Sequence, residues 1–517
     1  MEKMKKGVKL AALLFSGLLA FSAFAGCGGG GGDDGVTKIR VDLHGWTPTV
    51  SSTSTAGSIA YNSPKYIAKE FEELYDNKVK IEWVRDKDLT LDVSDVAQYF
   101  SLAIENGSCP SIAFTWGTTF QDRGWYVNLT PYLEETNDYE TAPDLKGKKW
   151  KDSFEEYIWS LNGISTYMNE IVAVPLTLFA GSASGIFYNV AQLQKMGYVD
   201  SANPITPNDY EFGIGEPVNW ATWMDIVEEA MSSDPKNIND LATYPYTANC
   251  WLMQFELGPA YMSHVVDFID SNENGIVDGA ELLQGVVDGY LDPVRQPYAE
   301  ELLRECKRYM SKINENNLDS TKWINGTGVA SYKSTVSYTP EKNNNYSFKW
   351  EMVPTPVKDD TMYTAPYVDW VSFDEAQPNV DLYLNVMKAG VTKNGKLDGE
   401  IDENKLFYSV EFLKYLTTRE ANSVMIDEMN TSIGAVKGVD RPMWLENSAF
   451  VKCQFAKTKS VNGWPSGFTT DYSAQMDILF SSWIKGTTSD NDFFAEWNRL
   501  QVAGARDMAS KLGITLK

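Results

Sequence analysis

Apolar and polar positions alternate from Lys38 to Leu43, with Ile39, Val41 and Leu43 on one side, which predicts a strand. Ser63-Pro64 supplies a helix cap and a first-turn proline, and Ile67, Phe71 and Leu74 follow at helical spacing. Val79, Ile81 and Trp83 alternate again. Strand, helix and strand of these lengths predict a βαβ unit and hence a parallel sheet. A helix over Val96–Ile104 then leads to a buried strand in "SIAFTW", so the fold class is α/β. Later stripes repeat at helical period: Trp223, Ile226, Val227 and Ala230; Leu406, Val410, Phe412 and Leu413; Phe493, Trp497 and Leu500. Trp220, Trp223 and Trp497 are therefore expected in the core rather than on a ligand.

The first residues break this pattern. Lys3, Lys5, Lys6 and Lys9 precede an apolar run from Leu10 to Phe24, and small residues Ala25 and Gly26 stand before Cys27. This is the form of an export signal and is set aside from the fold. "FAGC" resembles the bacterial lipobox, which implies that Cys27 is lipidated and becomes the first mature residue. The glycine run from Gly28 to Gly32 cannot pack and serves as a flexible tether. The expected location is the extracellular face of the bacterial cytoplasmic membrane. About 480 residues follow, enough for two or three domains. No later stretch reaches the roughly 20 apolar residues of a membrane span.

Composition narrows the chemistry. The formal net charge is −25, which argues against nucleic acid, because a phosphate backbone needs Lys and Arg to neutralise it. The two histidines, His44 and His264, are far apart in sequence, so no zinc-type cluster is formed. No nucleophile elbow and no phosphate loop occurs. Cys109, Cys250, Cys306 and Cys453 allow two disulfides or four buried thiols. With 16 Trp and 27 Tyr the chain is rich in aromatic faces, which suit the C–H faces of sugar rings while polar groups meet the hydroxyls.

Several motifs, taken in order, resemble one family. They are "GWYVNLTPYLEE" (Gly124–Glu135), "IVAVPLTLFAGSASGIFYNVAQLQKMGY" (Ile171–Tyr198), "PVNWATW" (Pro217–Trp223), "INGTGVASYKS" (Ile324–Ser334), "MVPTPV" (Met352–Val357) and "VEFLKYLTTREANSVM" (Val410–Met425). The chain is identified by these as resembling the extracellular solute-binding proteins of family 1, carbohydrate receptors of ABC importers. The resemblance implies a two-lobed type II periplasmic-binding-protein fold with a hinge and a ligand cleft between the lobes. It implies lobe one at 36–179 and 350–424 and lobe two at 181–347 and 425–517. It puts the crossings near Leu178–Gly185, Asn343–Trp350 and Met425–Gly434. The chain departs from the family at "APYVDWVSF" (Ala365–Phe373) and carries additional sequence near Trp150–Met168 and Met253–Pro293.

The second addition holds "DSNENGIVDGAE", which has the spacing of an EF-hand loop. Asp270, Asn272, Asn274 and Asp278 fill positions one, three, five and nine; Ile276 offers its carbonyl at seven; Gly275 permits the sharp turn; Glu281 is the bidentate terminal ligand. "AYMSHVVDFI" and "AELLQGVVDGYL" are the expected flanking helices. Two asparagines in place of carboxylates suit the weak affinity of extracellular sites, so Ca2+ is expected as a structural clip. A weaker echo at Lys393–Asp402 lacks the terminal acid and is read as a turn.

Loops that follow strand ends or crossings face the cleft in such folds. The expected ligand contacts are therefore Trp46, Trp116, Thr118, Trp251, Asp369, Trp370 and Trp464. The resulting expectation is a monomeric, lipid-anchored, non-catalytic receptor that binds a neutral oligosaccharide and delivers it to ABC permease subunits. The alternatives are a secreted glycoside hydrolase, which needs two carboxylates about 5–10 Å apart across a sugar cleft, or a glycan-binding lipoprotein that reports to a membrane sensor.

Overall fold

The computed structural model describes residues 35–43, 63–84, 93–115, 122–161, 163–179, 184–198, 220–243, 247–248, 250–273, 277–334, 337, 341, 344–354, 369–372, 380–429, 432–440, 454–457 and 463–517. In chain order the strands are β1 (Thr37–Asp42), β2 (Val79–Trp83), β3 (Ile112–Ala113), β4 (Ala173–Leu178), β5 (Ser184–Asn189) and β6 (Ile238–Asp240). There follow β7 (Ala330–Ser334), β8 (Trp350–Pro354), β9 (Asp369–Ser372), β10 (Val380–Val386), β11 (Ile433–Gly434) and β12 (Gln454–Lys457).

The first sheet has the order β11-β4-β10-β3-β1-β2. β1 pairs in parallel with β2 and β3, as the alternation at Lys38–Leu43 and Val79–Trp83 implies. β10 returns antiparallel between β3 and β4. Helix α1 (Ser63–Leu74) buries Ile67 and Phe71 against this sheet, and α2 (Val93–Glu105) buries Val96 and Phe100. The second sheet has the order β6-β7-β5-β8. Successive β5 side chains point to opposite faces. Ile186 and Tyr188 enter the core of lobe two, whereas Phe187 joins the cluster continuous with lobe one. Asn189 ends β5 and caps α3 (Val190–Met196), which stops at Gly197 in the left-handed region.

Lobe two is completed by α4 (Trp220–Ser233), α5 (Leu257–Ile269), α6 (Gly279–Val287) and α7 (Pro297–Met310). Lobe one gains α8 (Glu403–Leu416) and α9 (Arg419–Met429); the chain ends in α10 (Thr470–Ile484) and α11 (Asp490–Leu512). Trp220, Trp223 and Trp497 are buried in lobe two, as their helical stripes require. In α11, Phe493 stacks on Trp483 of α10 with centroids 3.8 Å apart.

Two lobe boundaries differ from the expected ones. β8 pairs with β5 along its length, Asn189 with Trp350 through Gly185 with Pro354, so it belongs to the second sheet rather than beginning the return to lobe one. β11 pairs with β4, and Ala435 and Val436 are buried in the lobe-one core, so the last departure from lobe one follows them. Both differences have one cause: the residues are fixed by backbone pairing with strands far away in sequence. The segment 393–400 is a turn, with Asn394 Oδ1 accepting from Lys396 N–H at 3.1 Å. Cys109, Cys250 and Cys306 are free and buried, and Cys453 lies outside the described residues. Among the described residues, no helix is long and apolar enough to cross a membrane.

Candidate functional site

Among the described residues, the chain passes between the sheets three times. The first passage joins β4 to β5; the second runs from β8 through β9 to β10; the third runs from β11 through β12 to residue 463. Among the described residues, β9 and β12 pair only with each other, as a two-stranded antiparallel ladder on the second and third passages. Asp369 and Trp370 are on this ladder, opposite Lys457 and Ala456.

Trp251 comes to the first passage from lobe two. It begins the π-helical turn Leu252–Glu256 that opens α5, a rare wide turn often met at functional positions. The half-buried Trp251 ring meets Phe179 of lobe one edge-on, centroids 6.1 Å apart. At the end of the same turn, Glu256 Oε1 accepts the Ser184 N–H at 2.8 Å, which ties the turn to the start of β5.

Trp464 has a different place from the one expected. It is fully buried in the lobe-two core, and its backbone N–H donates to Met253 O at 2.9 Å. Gly463 lies so close that a Cβ there would stand 2.5 Å from Gln254 Cα. A side chain sealed among Met, Tyr and Phe cannot face a cleft, so Trp464 is removed from the ligand set; it braces the turn that carries Trp251. Trp46, Trp116, Thr118 and Cys27 lie outside the described residues. Thr115, just before Trp116, bonds Tyr126 Oη at 2.8 Å and Asn385 Oδ1 at 2.9 Å. Burial raises the Tyr126 hydroxyl above its ordinary pKa, so it stays a neutral donor and acceptor.

Sequence reasoning missed a second polar cluster. Asp381, next to the start of β10, accepts from Ser432 Oγ at 2.6 Å and Thr177 Oγ1 at 3.2 Å. One carboxyl thus ties the lobe-one ends of all three passages. Burial pushes it up to about 6, against the lowering effect of the two hydroxyls. Nothing local marks Asp381, because its partners lie far away in the chain.

The EF-hand-like stretch forms a helix–loop–helix, with α5 ending at Ile269 and α6 starting at Gly279. Glu281 Oε1 folds back into the loop and accepts from Ser271 N–H at 2.9 Å, Ser271 Oγ at 2.7 Å and Asn272 Nδ2 at 3.1 Å. Asp278 caps α6, with a reciprocal Glu281–Asp278 capping box. Asn274 and Ile276 lie outside the described residues. Among the described residues, no group of three or more His, Cys, Asp or Glu side chains is gathered to hold a metal.

No family model matches the chain, and no curated protein matches it. Solved structures do. A chitin oligosaccharide binding protein superposes with TM-score 0.54 at 13% identity, over 91% of this chain and 99% of its own. An ABC-transporter solute-binding protein from Thermotoga lettingae, bound with α-D-tagatose, gives TM-score 0.50 at 12% identity over 92% and 100%. A substrate-binding protein from Listeria monocytogenes in complex with cycloalternan gives 0.50 at 11% over 93% and 100%. The chain has the two-lobed fold of the ABC solute-binding proteins. In folds of this kind the passages between lobes serve as the hinge.

Proposed function

We propose that this solute-binding fold serves as a lipid-anchored extracellular receptor, which takes a neutral oligosaccharide between its lobes and hands it to an ABC importer permease. The observation that carries the reading is Trp251, an aromatic face at the inter-lobe passage, held by a π-helical turn and braced by Trp464. Oligosaccharide ligands in proteins of similar fold support it. Trp46, Trp116, Thr118, Asp369 and Trp370 complete the proposed contacts. Closure of the lobes would bury the ligand, so binding needs no bond to be made or broken.

Thermal shift against a panel of neutral oligosaccharides, with a parallel assay for reducing ends, tests this. A rise in melting temperature without released ends supports a receptor. Released ends would establish the glycoside hydrolase instead. Anchoring is tested by Cys27→Ala: its release from washed membranes is expected, and retention in high salt overturns the lipobox reading.

We further propose that Ca2+ occupies the loop Asp270–Glu281 as a structural clip. The helix–loop–helix and the inward carboxylate of Glu281 fit such an ion. Asp270, Asn272, Asn274, Asp278 and the Ile276 carbonyl would complete the ligand set. Bidentate ligation would take Glu281 from part of its present N–H and O–H donors.

A further inference from the structure

The two stretches by which the chain exceeds the family pattern meet each other across the lobes. In lobe one, Phe154, Ile158, Leu161 and Ile164 are buried and anchor the first stretch. A hairpin then projects, closed by the Ser165–Ile171 bridge and by Thr166 N–H to Glu170 O at 2.8 Å. Its tip is set by Thr166 Oγ1, which accepts the N–H groups of Met168 and Glu170 at 3.2 Å each, and by Asn169 at φ 59°. Tyr167 at the tip packs on the lobe-two core, its ring 5.8 Å from that of Phe468. Beneath it lies Gly279, the first residue of α6. A Cβ on Gly279 would stand 2.2 Å from Tyr167 Cα, so the two backbones touch directly. Asn169 Nδ2 donates to Asp278 Oδ2 at 3.2 Å beside them.

A second tie lands on the same part of lobe two. Asp122 of lobe one meets Thr470 Oγ1 at 3.5 Å and Lys511 Nζ at 3.3 Å. Phe468 and Thr470 are two residues apart, and Phe468 holds a φ of 66°, a conformation a bulky residue adopts only when its surroundings impose it.

We propose that the hairpin 165–170 is an inter-lobe strap, with Tyr167 as its anchor and Gly279 as its seat. It holds the lobes in the arrangement seen here, and a change of lobe angle requires Tyr167 to leave the lobe-two core. A side chain inserted among packed residues over a backbone-on-backbone contact does not slide continuously; such interfaces switch between discrete states. The strap therefore sets the populations of the lobe arrangements, whatever the cleft binds.

The test is an inter-lobe distance distribution from electron–electron double resonance on the ligand-free protein. Spin labels go on Lys148→Cys in lobe one and Lys485→Cys in lobe two, both at exposed positions, with Cys27→Ala and Cys453→Ser in the background. Cys109, Cys250 and Cys306 are buried and stay unlabelled. Tyr167→Ala is expected to shift or broaden the distribution, and Tyr167→Phe to keep it, because the ring is retained. Gly279→Ala perturbs the seat with Tyr167 intact, so it reports even if Tyr167→Ala folds poorly. Met168→Ala, at a half-exposed neighbour, gives the baseline for a change in the hairpin that spares the anchor. A change in either strap variant that is absent in Tyr167→Phe and Met168→Ala supports the strap. Unchanged distributions in both Tyr167→Ala and Gly279→Ala overturn it.

Discussion

The ring of Trp251, in lobe two, meets the ring of Phe179, at the lobe-one end of the first passage, edge-on with centroids 6.1 Å apart. The two residues come from opposite sides of the hinge, and 71 positions of chain lie between them in the sequence. In the proposed receptor, a ligand face presented here would be held by both lobes.

Trp251→Ala removes that face. The best ligand of the panel should bind at least about tenfold more weakly, the equivalent of about 1.4 kcal/mol, with the far-ultraviolet spectrum unchanged. Calorimetric titration reads it. Parent-like affinity would remove Trp251 from the site.

Trp464 should act on stability and not on ligand contact. Trp464→Ala empties a fully buried site, which costs about 3–5 kcal/mol. Among the described residues its indole N–H has no hydrogen-bond partner, so Trp464→Phe forfeits no hydrogen bond there and should be much milder. Denaturant melts of the two variants give the comparison; equal losses would mean that the indole N–H matters after all.

Calcium should raise the melting temperature of the parent and chelation should lower it, since an ion held only by the folded state stabilises by mass action. Glu281→Gln keeps a capping residue at the third helical position but loses the bidentate carboxylate. The response to chelator should vanish in this variant. A parent indifferent to chelator contradicts the clip.

Asp381 makes a pH-dependent prediction. Burial raises its carboxyl to about 6, so the folded protein holds this proton more tightly than the unfolded chain. That contribution is complete below about pH 4 and is lost as pH rises through about 6. Asp381→Asn removes the dependence. Near pH 8 the variant should exceed the parent in stability by up to about 3 kcal/mol, and the two should converge near pH 4. Urea melts at both values check it; a constant difference would assign the effect to lost packing.

Legibility followed distance along the chain. The parallel pairing of β1 with β2 was readable, because alternation, an apolar stripe at helical spacing and a second alternation lie within about fifty residues. The helix–loop–helix around Asp270–Glu281 was readable for the same reason. Asp369 and Trp370 were marked by their departure from the family, yet only the β9–β12 pairing shows that they lie on passages between the lobes. Trp464 does lie in a glycine-rich loop, but Gly463 and Gly258 let backbones approach closely there, so its indole is buried rather than turned to a cleft.

By itself the sequence determined the α/β class, the helices with buried Trp220, Trp223 and Trp497, and the order of motifs that resembles a two-lobed binding protein. These rest on local periodicity, which each segment carries within itself. Tertiary structure alone decided which sheet receives β8 and β11, that Trp251 faces Phe179, that Asp381 ties three passages, and that Tyr167 sits over Gly279. Each of these joins residues brought together only when a lobe folds or when the two lobes meet. Strand pairing, ring contact and backbone approach depend on those events, and no local window of the chain contains both partners.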